Sequence, residues 1–148
     1  MGYNGVLASG EAFPKAQAAA SKALALDDEL AEAHAAMGAV KYSFEWDWTG
    51  AEREIKRAIE LNPSSYIAHE HYAQYLTLIG HFDEAIKERQ RAFELEPSSR
   101  FWFGWTYAIA GRYDEAITEF KEVRRVSTIL RHQGREFTDF YCLTGVVC

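Results

Sequence analysis

The sequence contains few of the residues that define disulfide-linked, membrane-spanning or β-rich proteins. Two cysteines occur, Cys142 and Cys148, and both lie in the last seven residues, so no disulfide framework is specified. Three prolines interrupt 148 residues, and no apolar run approaches the ~20 residues of a membrane span. Clusters of β-branched residues with period-two alternation are also missing. These absences favour an all-α domain.

Sequence motifs that carry chemistry are absent as well. The chain has no GxSxG, no Gly-rich phosphate loop and no HExxH. No spacing of His and Cys suits zinc, and neither cysteine has a context that would activate its thiol. We therefore expect a protein that is not an enzyme and that uses no cofactor or metal. The net charge of −6 argues against nucleic acid or an anionic membrane as a partner.

What the sequence does contain is a repeated helical pattern. Ala, Leu, Glu, Lys and Arg are abundant, which favours helix, and hydrophobic residues at 48% are sufficient for a folded core. The clearest unit is 66–99, which reads as helix, tight turn, helix and stop. Gly80 ends its first helix and Pro97 ends its second. No basic segment followed by an apolar core opens the chain, so we expect a cytoplasmic protein.

The unit recurs along the chain. An aromatic residue marks the start of each second helix, and successive markers are 35, 34 and 31 residues apart: Phe13, Trp48, Phe82 and Tyr113. Recurrence near 34 residues is typical of stacked helix hairpins. One such hairpin cannot bury its own apolar face, so neighbouring hairpins must pack together.

Small and large residues recur at offsets that resemble the tetratricopeptide repeat (TPR). The resemblance covers about 11–127, and three repeats match in register. The matching residues are Met37, Gly38, Ala51, Ala58 and Pro63; Tyr72, Ala73, Leu76, Gly80, Ala85, Ala92 and Pro97; and Phe103, Gly104, Tyr107, Gly111, Ala116 and Phe120.

The resemblance implies an all-α solenoid of about seven helices that forms a right-handed superhelix and binds other proteins. More narrowly, WDWTGAEREIKRAIELNP resembles repeat arrays attached to bacterial multidomain regulators. Those regulators include winged-helix transcription regulators, adenylate cyclases and Ser/Thr kinases. The sequence shows no such effector domain, so we expect a docking module. Self-association through an apolar C-terminal tail is the alternative.

The repeats differ in length, which predicts irregular turns. Repeat 1 has one extra residue within 42–46, where Trp46 replaces the turn glycine, so we expect a non-standard turn. Repeat 3 lacks three residues, which predicts a first helix shorter by almost one turn. The predicted segments are 1–30, a stub and half repeat with a helix over 13–25; 31–65, repeat 1; 66–99, repeat 2; 100–130, repeat 3; and 131–148, a cap or tail.

The candidate partner-binding residues lie on the first helices of the repeats. In the family, the offset of Trp105 faces the concave surface, and packing among neighbours is its alternative role. Four further residues would line the same shallow groove: Tyr42, Glu70, His71 and Gln74. We expect this groove to hold a peptide or helix of a partner protein.

Three other positions receive structural interpretations. His34 and His69 occupy equivalent inner positions of successive hairpins, and we expect both to serve packing. Arg89 stands where the family usually has an aromatic residue. That substitution predicts a thin spot in the packing between the hairpins.

Overall fold

The computed structural model describes the backbone of residues 9–132 and the side chains of residues 13–126. This part of the chain forms seven α-helices and no strand, which confirms the predicted all-α architecture. The first eight residues of the predicted stub, and the predicted tail beyond His132, lie outside the described residues. The helices are α1 (Ser9–Leu26), α2 (Ala31–Val40), α3 (Trp48–Leu61), α4 (Tyr66–Leu78), α5 (Phe82–Leu95), α6 (Phe101–Ile109) and α7 (Tyr113–His132).

The helices form hairpins within two compact units, of which one ends at Ser99 and the other begins at Arg100. In the first unit α2 packs on α3, α4 packs on α5, and α3 joins the two hairpins by packing on α4. Helix α1 packs on α2. In the second unit α6 packs on α7. Because short turns join the helices of each pair, the partners run antiparallel.

Small residues allow the helices of a hairpin to approach closely. Gly38 of α2 lies so near α3 that an added Cβ would collide with the side chain of Ile55. Gly104 of α6 has the same relationship to α7, because an added Cβ would lie 2.5–2.8 Å from ring atoms of Phe120. Near the contact of Gly38 with Ile55 lies the larger core cluster of the first unit, which consists of Tyr42, Ala51, Ile55, Tyr75, Leu76 and Ala85.

The extra residue of repeat 1 lies in a π-helical turn, Lys41–Glu45, which directly continues α2. A π-helix holds more residues per turn than an α-helix, so it takes up an insertion locally. Trp46 follows with φ 58° and ψ 22°, which is a left-handed conformation. In the corresponding turns of the other hairpins, the residues with positive φ are glycines, Gly80 and Gly111. The non-standard turn expected from the sequence is therefore present.

Asp47 ends this turn and begins the next helix. Its Oδ1 accepts a hydrogen bond from the backbone N of Gly50 at 2.9 Å, which caps the N-terminus of α3. Its Oδ2 accepts a hydrogen bond from Lys41 Nζ at 3.0 Å. The cap hydrogen bond and the lysine hydrogen bond lower the pKa of Asp47. The irregular turn is thus fixed at both ends.

The N-terminal helix is longer than predicted. Helix α1 begins at Ser9 instead of residue 13 and continues through Pro14. The prediction was wrong because Phe13 marks the register of the repeat and not the start of the helix. Pro14 lies early in the helix, where its missing N–H removes a single backbone hydrogen bond.

The last hairpin has the predicted short first helix. Helix α6 contains nine residues, whereas its counterpart α4 contains thirteen. A 3₁₀ turn, Pro97–Arg100, precedes α6. Helix α7 continues through Thr128, the position at which the repeat usually has proline, and reaches His132. Within the described part of the chain, no helix has both the length and the apolar character to cross a membrane.

Candidate interaction site

Arg89 lies at the centre of the candidate site. Its side chain is only 1% exposed on α5, and its guanidinium forms an ion pair with Oε2 of Glu70. Arg89 Nη2 also donates a hydrogen bond to Gln74 Oε1 at 2.9 Å. Glu70 and Gln74 are four residues apart on α4 and therefore share a face. The predicted thin spot is wrong, because a charge-matched guanidinium fills the place of the aromatic residue.

Tyr42 and His71 form the second part of the same site. The Tyr42 hydroxyl and His71 Nδ1 are 3.1 Å apart, within hydrogen-bond distance. Burial raises the pKa of Tyr42 to about 12. Burial and the charge of Arg89 lower the pKa of His71 to about 4. Both groups are therefore uncharged at neutral pH, and one neutral hydrogen bond joins the π-helical turn to α4.

The carboxyl group of Glu70 is the least satisfied member of the site. Burial raises its pKa to about 7, although the charge of Arg89 and its hydrogen bond act in the opposite direction. Glu70 Oε1 is buried and has no hydrogen-bond partner among the described residues. Ser99 Oγ also lies close enough to lower this pKa, but the pair lacks hydrogen-bond geometry. Glu70 therefore titrates within the physiological pH range.

The structure brings four of the five predicted site residues together in the first unit. Tyr42 is buried and Glu70 nearly so, whereas His71 and Gln74 are half-buried and form the accessible part of the group. The fifth residue, Trp105, lies on α6 of the second unit and is 44% exposed. Sequence reasoning missed the role of Arg89. The sequence did contain a signal for this role, which is an arginine at a position where the repeat usually has an aromatic residue. Arg89 follows its partners Glu70 and Gln74 by 19 and 15 residues.

A second polar arrangement recurs in every hairpin. A nitrogen-bearing side chain near the start of the first helix pairs with a glutamate on the second helix, 19 or 20 residues later. We call each pair a brace. The nitrogen–oxygen distances are 2.8, 2.7 and 2.9 Å for His34 Nδ1–Glu54 Oε2, His69 Nδ1–Glu88 Oε2 and Arg100 Nε–Glu119 Oε2. The sequence predicts a packing role for the two histidines. In the structure, each also forms a polar contact with a glutamate.

The tryptophans of the first unit differ in their environments. Trp48 is half-buried and packs against the core. Trp46 is 70% exposed and contacts the Trp48 ring edge-on, with ring centroids 5.9 Å apart. Among the side chains that the structure describes, no group of three or more His, Cys, Asp or Glu could hold a metal ion.

These features define the class of the protein. Helix hairpins that recur near every 34 residues, with Gly or Ala at the close contacts, form an all-α solenoid of the TPR-like kind.

A comparison with solved structures supports this class. The chain is similar to the crystal structure of MamA protein, with a TM-score of 0.68 and 22% sequence identity over 84% of this chain and 69% of that chain. At this identity the likeness shows the fold. No protein-family model matches the sequence, and no curated protein matches it. The resemblance to the arrays of bacterial regulators therefore stays a prediction.

Proposed function

We propose that the chain is a non-catalytic interaction module that binds a peptide or helix of a partner protein on the inner face of its first helices. The observation that carries the proposal is a stripe along α4. Ile67, Gln74 and Leu78 are spaced by seven and four residues and so share one helix face. Ile67 and Leu78 are 39% and 47% exposed, and they flank the half-buried amide of Gln74.

The polar centre of this stripe is preorganised. Arg89 holds the Gln74 oxygen, so the amide group is fixed in one orientation and its NH₂ is left to donate outward. His71 is held through Tyr42 in the same way. A fixed polar centre between two exposed apolar side chains suits a peptide that offers a backbone carbonyl between apolar residues.

Trp105 is proposed as an anchor residue in the second unit. Trp105 and Ile109 lie one turn apart on α6 and are 44% and 42% exposed. Exposed aromatic residues of this kind often dominate the energy of protein interfaces. We therefore assign Trp105 and Ile109 a partner contact on the second unit, considered by itself.

The experiment begins with the intact chain as bait in a lysate of its source organism, and the captured partner is then titrated by calorimetry. Trp105→Ala and Gln74→Ala should each weaken binding about tenfold or more, with unchanged helical content. Trp46→Ala is the matched control, because Trp46 is the more exposed tryptophan and lies on the π-helical turn. Binding that falls equally in all three variants would contradict the proposal.

The alternative, self-association through 131–148, is separated by light scattering. The full chain is compared with a variant that ends at residue 133. A partner that binds the monomeric shortened chain with full affinity supports the interaction module. A full-length oligomer that becomes monomeric on shortening, and that captures no partner, supports self-association instead.

A further inference from the structure

His69 has a hydrogen-bond acceptor on each side of its ring. Its Nδ1 lies 2.7 Å from Glu88 Oε2, and its Nε2 lies 3.1 Å from the carbonyl oxygen of Pro63. A carboxylate and a carbonyl accept hydrogen bonds and cannot donate them. Both ring nitrogens must therefore carry a proton if both contacts are to be hydrogen bonds. The imidazolium is the form of His69 that fits this site.

His34 has the same two-sided arrangement one repeat earlier. Its Nδ1 lies 2.8 Å from Glu54 Oε2, and its Nε2 lies 3.0 Å from the carbonyl oxygen of Asp28. In both hairpins the ring thus links the incoming loop, the first helix and the second helix. The repetition of the geometry in two hairpins argues against an accidental contact.

The third hairpin supplies an internal comparison. Arg100 Nε donates to Glu119 Oε2 at 2.9 Å in the corresponding brace. An arginine side chain keeps its charge at every physiological pH, whereas a histidine does not. Among the described residues, the braces of the first unit thus use histidines, whereas the brace of the second unit uses an arginine.

We infer that His69 is a protonation-dependent brace, which ties together the helices of the second hairpin when charged and loosens them when it loses a proton. The inference goes beyond the proposed function and stands independently of any partner. The stability of the first unit should therefore respond to pH near neutrality. The strength of the brace in the second unit should not.

The charged groups around His69 favour this behaviour. The hydrogen bond to Glu88 raises the pKa of His69, and the contact with Pro63 adds to it, while burial and the charge of Arg91 act in the opposite direction. Glu88 and Arg91 both belong to α5. Around His34, Glu54 is also held by Arg53 Nη2 at 2.9 Å. Burial raises the pKa of Glu54, but the hydrogen bonds from Arg53 and His34 outweigh it and lower the pKa overall.

The sign of the effect follows from linkage. Because the pKa of His69 is higher in the folded state than the ordinary 6.5, its brace stabilises fully below about pH 6.5 and is lost as pH rises through the folded value. Two neighbours also titrate. The contribution of Glu70, whose pKa is raised from 4.5 to about 7, is lost as pH rises from about 4.5 to about 7. The contribution of His71, whose pKa is lowered to about 4, is lost as pH falls below 6.5. Single variants are therefore needed to isolate the brace.

The test measures urea unfolding of the full chain at about pH 6 and about pH 8.5, on either side of the histidine titration. For the wild type we expect a lower urea midpoint at the higher pH. His69→Arg, which copies the brace of the third hairpin, should remove at least half of that fall. His69→Gln should reduce the midpoint at the lower pH and leave less pH dependence than the wild type.

The matched control is His81→Gln. His81 is exposed beside Glu84, and its replacement should leave the pH dependence of the wild type intact. A second readout needs no variant, because NMR titration of the wild type reports the His69 ring directly. A His69 pKa above the ordinary value of about 6.5 supports the inference. A value at or below about 6.5, or a pH dependence of His69→Gln equal to that of the wild type, overturns it.

Discussion

Arg89 and Glu70 face each other across one helix hairpin, and the guanidinium of the first donates to the carboxylate of the second. Arg89 is almost fully buried, whereas one carboxylate oxygen of Glu70 has no partner among the described residues. A buried pair of this kind is weak evidence for stability, but the loss of one partner is severe. The relationship fixes the two helices that carry the candidate site.

Removal of Arg89 alone should destabilise the fold strongly. We expect Arg89→Met to lower the free energy of unfolding by about 3–5 kcal/mol, because it leaves Glu70 buried without a counter-charge. The loss should be smaller at about pH 5 than at about pH 8, since Glu70 can then be protonated. Urea unfolding at both values measures it. The double variant Glu70→Leu with Arg89→Met should recover most of the stability, and a double variant as unstable as the single one would contradict the explanation.

The close contact of α6 with α7 depends on Gly104. We expect Gly104→Ala to lower the free energy of unfolding by about 1–3 kcal/mol, because the new methyl group would overlap the ring of Phe120. Thermal unfolding measures the change. Phe120→Leu should partly rescue Gly104→Ala. The same change should not rescue Gly80→Ala, because Gly80 has open space and a positive φ of 84°, so its substitution is strained by backbone conformation.

Trp46 combines an unfavourable backbone conformation with a favourable ring contact. Trp46→Ala removes the edge-on contact with Trp48 and keeps the left-handed backbone, so we expect a loss of about 1 kcal/mol. Trp46→Gly removes the backbone strain as well and should be about 1 kcal/mol more stable than Trp46→Ala. Chemical unfolding of the two variants side by side checks the difference. Equal stabilities would show that the π-helical turn imposes no strain at this residue.

His71 should make the protein sensitive to acid. Its pKa is about 4 in the folded state and about 6.5 when unfolded, so its contribution to stability is lost as pH falls from about 6.5 towards 4. The shift corresponds to at most about 3 kcal/mol. His71→Gln should show a shallower loss of stability over this range than the wild type. Because the carboxylates titrate in both proteins, the loss of stability with falling pH is compared between the variant and the wild type. Identical slopes would contradict the prediction.

His69 and His71 illustrate what the sequence could and could not reveal. Because they are two residues apart on a helix, the sequence alone shows that they point to different sides. It did not reveal that His69 pairs with a glutamate, or that His71 is buried close to an arginine. The pKa values of the two rings therefore move in opposite directions, upward for His69 and downward for His71.

The elements themselves were largely predictable because their signals are local. The glycine at position 80 and the proline at 97 bound α5, and the extra residue near Tyr42 indicated the irregular turn. The partners of Arg89 were not predictable in this way, since the registry of α4 against α5 is a tertiary property. The spacing of the braces was visible in the sequence. The spacing alone did not reveal that the two residues of each brace meet across a hairpin, because that contact depends on how the paired helices pack.

The π-helical turn has a consequence for how such a chain can change in length. His34 and Glu54 are separated by 20 residues and His69 and Glu88 by 19, yet the two contacts are 2.8 and 2.7 Å. The added residue is absorbed before α3 begins, so the geometry beyond it is unaltered. A hairpin turn can thus take up a one-residue insertion without disturbing the pairing of the two helices that it joins.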